Sequence, residues 1–99
     1  MEFIQIIDYE TDRIDEMQAL GERFRKEREG TPGGPRRITS LKDRDKPNRY
    51  LTVVEFESYD EAMRNNGLPE VQEFAAQMTA LCSSPPVFTN CDLRERTER

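Results

Sequence analysis

The sequence predicts a small α+β domain with its elements in the order β-α-β-β-α-β and the second helix broken in two. Three observations predict it. Two runs rich in β-formers, residues 3–9 (FIQIIDY) and 49–57 (RYLTVVEFE), are each followed by apolar residues at helical spacing. The second run passes without a linker into a Ser-capped helix, and Pro69 suits the first turn of another. Polar or Gly/Pro-rich stretches punctuate the rest.

Residues 3–9 form the first strand, which ends in acidic, turn-favouring residues. Asp12 is then the expected N-cap of an amphipathic helix to about Arg28, with Ile14, Met17, Leu20 and Phe24 on one face. Glu22 with Lys26 and Arg23 with Glu27 add i, i+4 pairs on the other face. Residues 30–35 (GTPGGP) cannot continue that helix, because proline removes a donor and glycine favours a mobile backbone. Residues 36–42 give a weak second strand, 43–48 a polar turn, and 49–57 the strongest strand, so a hairpin is expected.

Ser58 with Glu61 is a capping-box signature for a short helix that should turn Ala62 and Met63 inward. Asn66-Gly67 should stop it through a left-handed residue. From Pro69, a stripe of Val71, Phe74, Ala75, Met78 and Leu81 runs to the Ser-Ser-Pro-Pro stop at 83–86, and residues 87–93 form the last strand. This order is the split βαβ arrangement of a ferredoxin-like sheet with helices on one face. In the third strand Leu51 and Val53 point one way and Tyr50, Val54 and Phe56 the other, so both sheet faces are apolar and a second subunit is expected on the uncovered one.

Length and charge narrow the classes of function. Ninety-nine residues suffice for one domain, expected over 1–94 with a charged, solvated tail at 95–99. Only 34% of residues are hydrophobic, so the core is modest and homo-oligomerisation is the natural supplement. A net charge of −5 opposes binding to a phosphate backbone. The acidic N-terminal segment lacks the basic flank and long apolar run of a signal or membrane segment, so a cytoplasmic protein with no membrane partner is expected. Cys82 and Cys91 match no metal or redox spacing and are read as reduced thiols. No cofactor is implied: a nucleotide P-loop and an H-E-x-x-H metal motif are both missing. The RNP1 pattern laid on residues 49–56 keeps Arg49, Val54 and Phe56 but lacks its glycine and two of its aromatics.

At Glu55-Phe56-Glu57-Ser58, then Glu61-Ala62-Met63 and Pro69, the sequence resembles the dimeric α+β barrel superfamily, and within it the antibiotic biosynthesis monooxygenase-like domains. The resemblance implies a homodimer in which two four-stranded sheets close into a barrel, with a pocket in each subunit between sheet and helices. It implies further that Asn66 and Glu70 stand where family enzymes often carry histidines, and Phe56 where many carry tryptophan. The chain has neither residue type. Two functions follow as expectations: binding of a small aromatic or polyketide-like molecule, or cofactor-independent oxygenation of such a molecule.

Oxygenation without a cofactor needs a group that accepts a proton and groups that stabilise the resulting anion. Glu55, an acid between Val54 and Phe56, is the candidate base if it points inward; the alternative is that it lies at the sheet rim or pairs with an arginine such as Arg37 or Arg49. Tyr9, Tyr50, Phe56, Asn66 and Asn90 are the candidate ligand-binding residues, and Asp8 lies among the polar groups near them in sequence.

Overall fold

The computed structural model describes residues 2–99. The elements are β1 (Phe3–Glu10), α1 (Ile14–Glu27), β2 (Arg37–Lys42), β3 (Arg49–Phe56), α2 (Tyr59–Asn66), α3 (Pro69–Ala80) and β4 (Val87–Asp92). The strands form one antiparallel sheet in the order β2-β3-β1-β4. With three helices on one side, this is the ferredoxin-like α+β fold that the element order predicts. The molecule is 22 Å along its shortest axis, the depth of one sheet and one helical layer.

The register of β1 against β3 decides what each face carries. Phe3 lies opposite Phe56, Gln5 opposite Val54, Ile7 opposite Thr52 and Tyr9 opposite Tyr50. These residues face the helices. One apolar cluster joins Phe3, Val54 and Phe56 to Ala62 of α2. A second joins Tyr9 to Met17 and Leu20 of α1 and Met78 of α3, with Tyr50, Phe74 and Leu81 packed against it.

The other face carries Ile4, Ile6, Leu51 and Val53, all only partly buried, with Leu41 at 47% and Val87 at 61% exposed beside them. No helix of this chain covers it. Arg49 sits at one end of that face and holds Asp8 with two hydrogen bonds, Nε to Oδ1 (3.1 Å) and Nη2 to Oδ2 (2.6 Å). Its Nη1 donates to Asp43 Oδ2 at 2.8 Å, which ties the β2–β3 turn to β1. Asp43 Oδ1 also accepts from the backbone of Asp45 and Lys46, and Asn48 takes the left-handed conformation (φ 69°) that asparagine tolerates.

Three local expectations are corrected. Asp12 does not cap α1, whose N-cap is Arg13 without a side-chain bond. The first turn is held instead by fully buried Thr11, whose hydroxyl accepts from Arg13 N (3.0 Å) and donates to Leu81 O (2.6 Å). Gly67 stays right-handed (φ −83°), so α2 is not stopped by a left-handed residue. The break comes from Pro69, which forces Leu68 into extended backbone (ψ 136°). Met63 turns outward at 37% exposed, because Ala62 and Asn65, three residues apart, take the inward face. Ser58 does cap α2, its Oγ accepting from Glu61 N at 3.1 Å.

Thr11→Val keeps the shape of the side chain but strands a buried carbonyl and an amide, so it should lower stability by about 1–3 kcal/mol in urea unfolding with an unchanged m-value. Asp43 is held at a pKa of about 2, first by Arg49 and then by the turn amides. A carboxylate depressed by folding contributes stability above its ordinary pKa, and that stability is lost as pH falls through the folded value. Thermal melts between pH 4 and 2 should therefore fall more steeply for the native sequence than for Asp43→Asn.

Candidate functional site

The centre of the helix-facing sheet surface is more polar than its ends. Gln5, Ile7 and Thr52 lie on the two central strands and face the helical layer, yet each stays partly exposed. Gln5 Nε2 donates to Asn90 Oδ1 across the β1–β4 pairing at 3.1 Å. At one end Tyr9 and Tyr50 stack with ring centroids 5.8 Å apart and planes 24° apart, as their directly opposed positions require. The helix-facing side of the sheet thus has an aromatic end and an amide-bearing centre.

A further amide, Asn65, comes from α2. It lies on the face that carries Ala62, is buried, and donates from Nδ2 to Asn66 Oδ1 at 3.4 Å. Its Oδ1 accepts from Arg28 Nη2, also at 3.4 Å. Arg28 is the C-cap residue of α1, where the negative end of the helix dipole favours a cation, and its guanidinium lies 5.4 Å from the Phe24 ring centroid. Gly33 and Gly34, with φ of 82° and 87°, carry the α1–β2 loop past Arg64 and Asn65 in a backbone conformation that side chains rarely adopt.

On the outer side a groove of about 470 Å³ separates α1 from α3. Leu20, Phe24 and Phe74 form its apolar wall, and Arg28, Glu70 and Gln77 line it too. Phe24 and Phe74 stack at 4.3 Å. Leu20 and Phe74 also belong to the cluster that contains Tyr9 and Tyr50, so this groove is backed by the aromatic end of the sheet.

Four of the residues expected from sequence, Tyr9, Tyr50, Phe56 and Asn90, share the helix-facing side of the sheet. Phe56 is packed in the first cluster and Asn90 is exposed near the sheet edge. Asn66 is partly exposed beside buried Asn65. Glu55 points to the opposite face, because Val54 and Phe56 on either side of it face the helices. It is only 7% exposed there, with Arg96 Nη2 at 3.1 Å and Arg37 Nη1 at 3.8 Å. Pairing with Arg37 matches the rim arrangement considered from sequence, whereas Arg96 brings back a tail expected to be solvated. Asp8 shares that far face with Arg49. Sequence reasoning missed Gln5, Asn65 and Arg28; for Asn65 the signal was its three-residue offset from Ala62.

The polar groups on the helix-facing side of the sheet are neutral donors and acceptors. Burial pushes the Tyr9 phenol above its ordinary pKa, with hydrogen bonding to Thr52 opposing part of the rise, so it is a proton donor at neutral pH. Burial likewise raises the Cys82 thiol. Both cysteines are free. Among the described residues, no group of three His, Cys, Asp or Glu could hold a metal ion, and no helix is long and apolar enough to cross a membrane.

Sheet order, split second helix and an uncovered apolar face recur in solved structures. The chain shares its fold with structures described as antibiotic biosynthesis monooxygenases or as a cofactor-independent oxygenase. An asparagine-to-alanine variant of SnoaB, a cofactor-independent oxygenase from Streptomyces nogalater, superposes with a TM-score of 0.82 at 20% identity, over 99% of this chain and 98% of that one. Rv0793 from Mycobacterium tuberculosis gives 0.77 at 14% identity, over 99% and 100%. A structure described as an antibiotic biosynthesis monooxygenase gives 0.72 at 11%, over 96% and 100%. No family model matches the sequence, and no curated protein does.

Tyr9 should ionise above the ordinary tyrosine range. Absorbance titration of the phenolates should show one late step above the ordinary tyrosine range, and that step should be missing in Tyr9→Phe.

Proposed function

We propose that the protein binds a small aromatic or polyketide-like molecule between its sheet and helices, working as a homodimer in the cytoplasm. The observation that carries this reading is the partial exposure of Gln5, Ile7 and Thr52 on the helix-facing side of the two central strands, between the buried residues Phe56 and Tyr9. A planar ligand there meets the stacked Tyr9–Tyr50 pair with its apolar body, and the amides of Gln5, Asn65 and Asn90 with its oxygens. Small-molecule sites combine an apolar wall with a few placed polar groups in this way. Asn66 lies next to Asn65 at the end of α2, and Phe56 backs the packed end.

The second copy covers the apolar face of Ile4, Ile6, Leu51 and Val53. Covering it offsets the modest core of a 99-residue chain. Free Cys82 and Cys91 suit a reducing compartment.

The second reading is cofactor-independent oxygenation, favoured by the fold shared with SnoaB, which is described as a cofactor-independent oxygenase. In it a deprotonated anthrone-type methylene takes up dioxygen, one oxygen atom staying as a carbonyl and the other leaving as water. Glu55 is the proposed base; because it lies on the sheet face opposite the helices, this reading puts the substrate on that face, in competition with the second copy, rather than between sheet and helices, and no cofactor takes part.

Titration with anthrone, followed by calorimetry, should show one site per subunit with no oxygen consumed, and Tyr50→Ala should weaken binding about tenfold, near 1.4 kcal/mol. Oxygen uptake that is lost in Glu55→Gln would select the oxygenase reading, and uptake that survives this change would remove Glu55 as the base. In sedimentation velocity at micromolar concentration the protein should run as a dimer and Val53→Lys as a monomer.

A further inference from the structure

We infer that Arg96 belongs to the surface through which two copies associate: reaching back from the C-terminal tail, it neutralises Glu55 so that the uncovered sheet face can be buried. The inference rests on the homodimer reading above and names the group in each copy on which that contact depends. Across this face one row of paired positions runs Arg37, Glu55, Ile4 and Cys91, one residue from each strand. Glu55 is therefore a carboxylate set beside the apolar centre, and it is only 7% exposed before any partner arrives.

Specific contacts bring the tail there. Leu93 N donates to Glu2 O at 2.9 Å, which lays the start of the tail beside the start of β1. Three residues on, Arg96 Nη2 donates to Glu55 Oε1 at 3.1 Å and lies 3.6 Å from Glu2 Oε1. Arg37 is the weaker partner. Its Nη1 stands 3.8 Å from Glu55, beyond hydrogen-bonding distance, and its side chain is 69% exposed, so water screens that pairing.

The kind of partner follows from the charges. The chain has a net charge of −5, so two copies repel one another unless the surfaces that touch are balanced within themselves. This face meets that condition. Each of the three carboxylates that the two central strands place on it has its own cation: Asp8 has Arg49, Glu10 has Lys46 and Glu55 has Arg96. A second copy of the same face is thus an occupant it can accept, with Ile4, Ile6, Leu51 and Val53 supplying the apolar contact. Without Arg96, association would bury Glu55 beside a screened partner only, which is strongly unfavourable for an ionised carboxylate. In a two-fold dimer the same penalty falls at both copies.

Sedimentation equilibrium over a dilution series gives the dissociation constant of the dimer for the full chain and its variants. Arg96→Gln should raise that constant about a hundredfold, roughly tenfold for each copy's site. Arg96→Lys keeps the charge and a donor, and should stay within about tenfold of the native value. Glu55→Gln should leave the dimer intact, and adding it to Arg96→Gln should recover most of the loss, because no buried charge then needs a partner. A tail that acted only by packing would not be rescued in this way. A native dissociation constant in folded Arg96→Gln, or a double variant as weak as Arg96→Gln alone, overturns the inference. If Arg96→Gln does not fold, Glu55→Lys is compared with the charge-swapped pair Glu55→Lys and Arg96→Glu, and equal constants overturn it. A native protein that stays monomeric at every concentration removes the homodimer reading, and this inference with it.

Discussion

The antiparallel register of β1 against β3 is the constraint on which the rest of the molecule depends. Eight paired positions put Phe3 beside Phe56 and Tyr9 beside Tyr50, and alternation along each strand then sends every second side chain to the helices. A slip of one residue would exchange Tyr9 for Asp8 or Glu10 in the helix-facing layer. The two hydrogen bonds from Arg49 to Asp8 oppose that slip, because only this pairing brings both carboxylate oxygens within reach of one guanidinium. Asp43 adds a third partner, so the same arginine fixes how the β2–β3 hairpin meets β1.

Once the register is set, the helices are attached by few but specific contacts. Thr11 joins the end of β1, the first turn of α1 and the end of α3 through one hydroxyl. The arrangement economises on apolar surface in a chain that has little of it. It also leaves the far face with its own apolar centre, flanked by Arg49–Asp8 at one end and Arg37, Glu55 and Arg96 at the other. A face of this composition, greasy in the middle and charged at both ends, fits a specific association of copies better than indiscriminate sticking.

The fold was legible from the sequence because its strongest signals are local and agree with each other. The alternation of residues 49–57, the Ser58 cap and the restart at Pro69 each follow from backbone chemistry acting over a few residues. The errors lie where distant segments meet. Asp12 looked like a cap, but Thr11 does that work because Leu81, seventy residues away, supplies a carbonyl. The stop at residues 66 and 67 was read from Asn-Gly, whereas the proline after it dictates the break. The candidate site was legible only as a face: strand parity grouped Tyr9, Tyr50 and Phe56. The Arg28–Asn65 contact joins the end of α1 to the end of α2 and leaves no trace in local spacing.

The division of the core into two clusters has a mechanical meaning. Ile7 is the residue packed against both. The half built on α2 and the half built on α1 and α3 are therefore two jaws with a single aliphatic side chain as their common pivot. A change of packing in one half therefore reaches the other chiefly through that side chain, so the two ends of the sheet can differ in tightness within one fold.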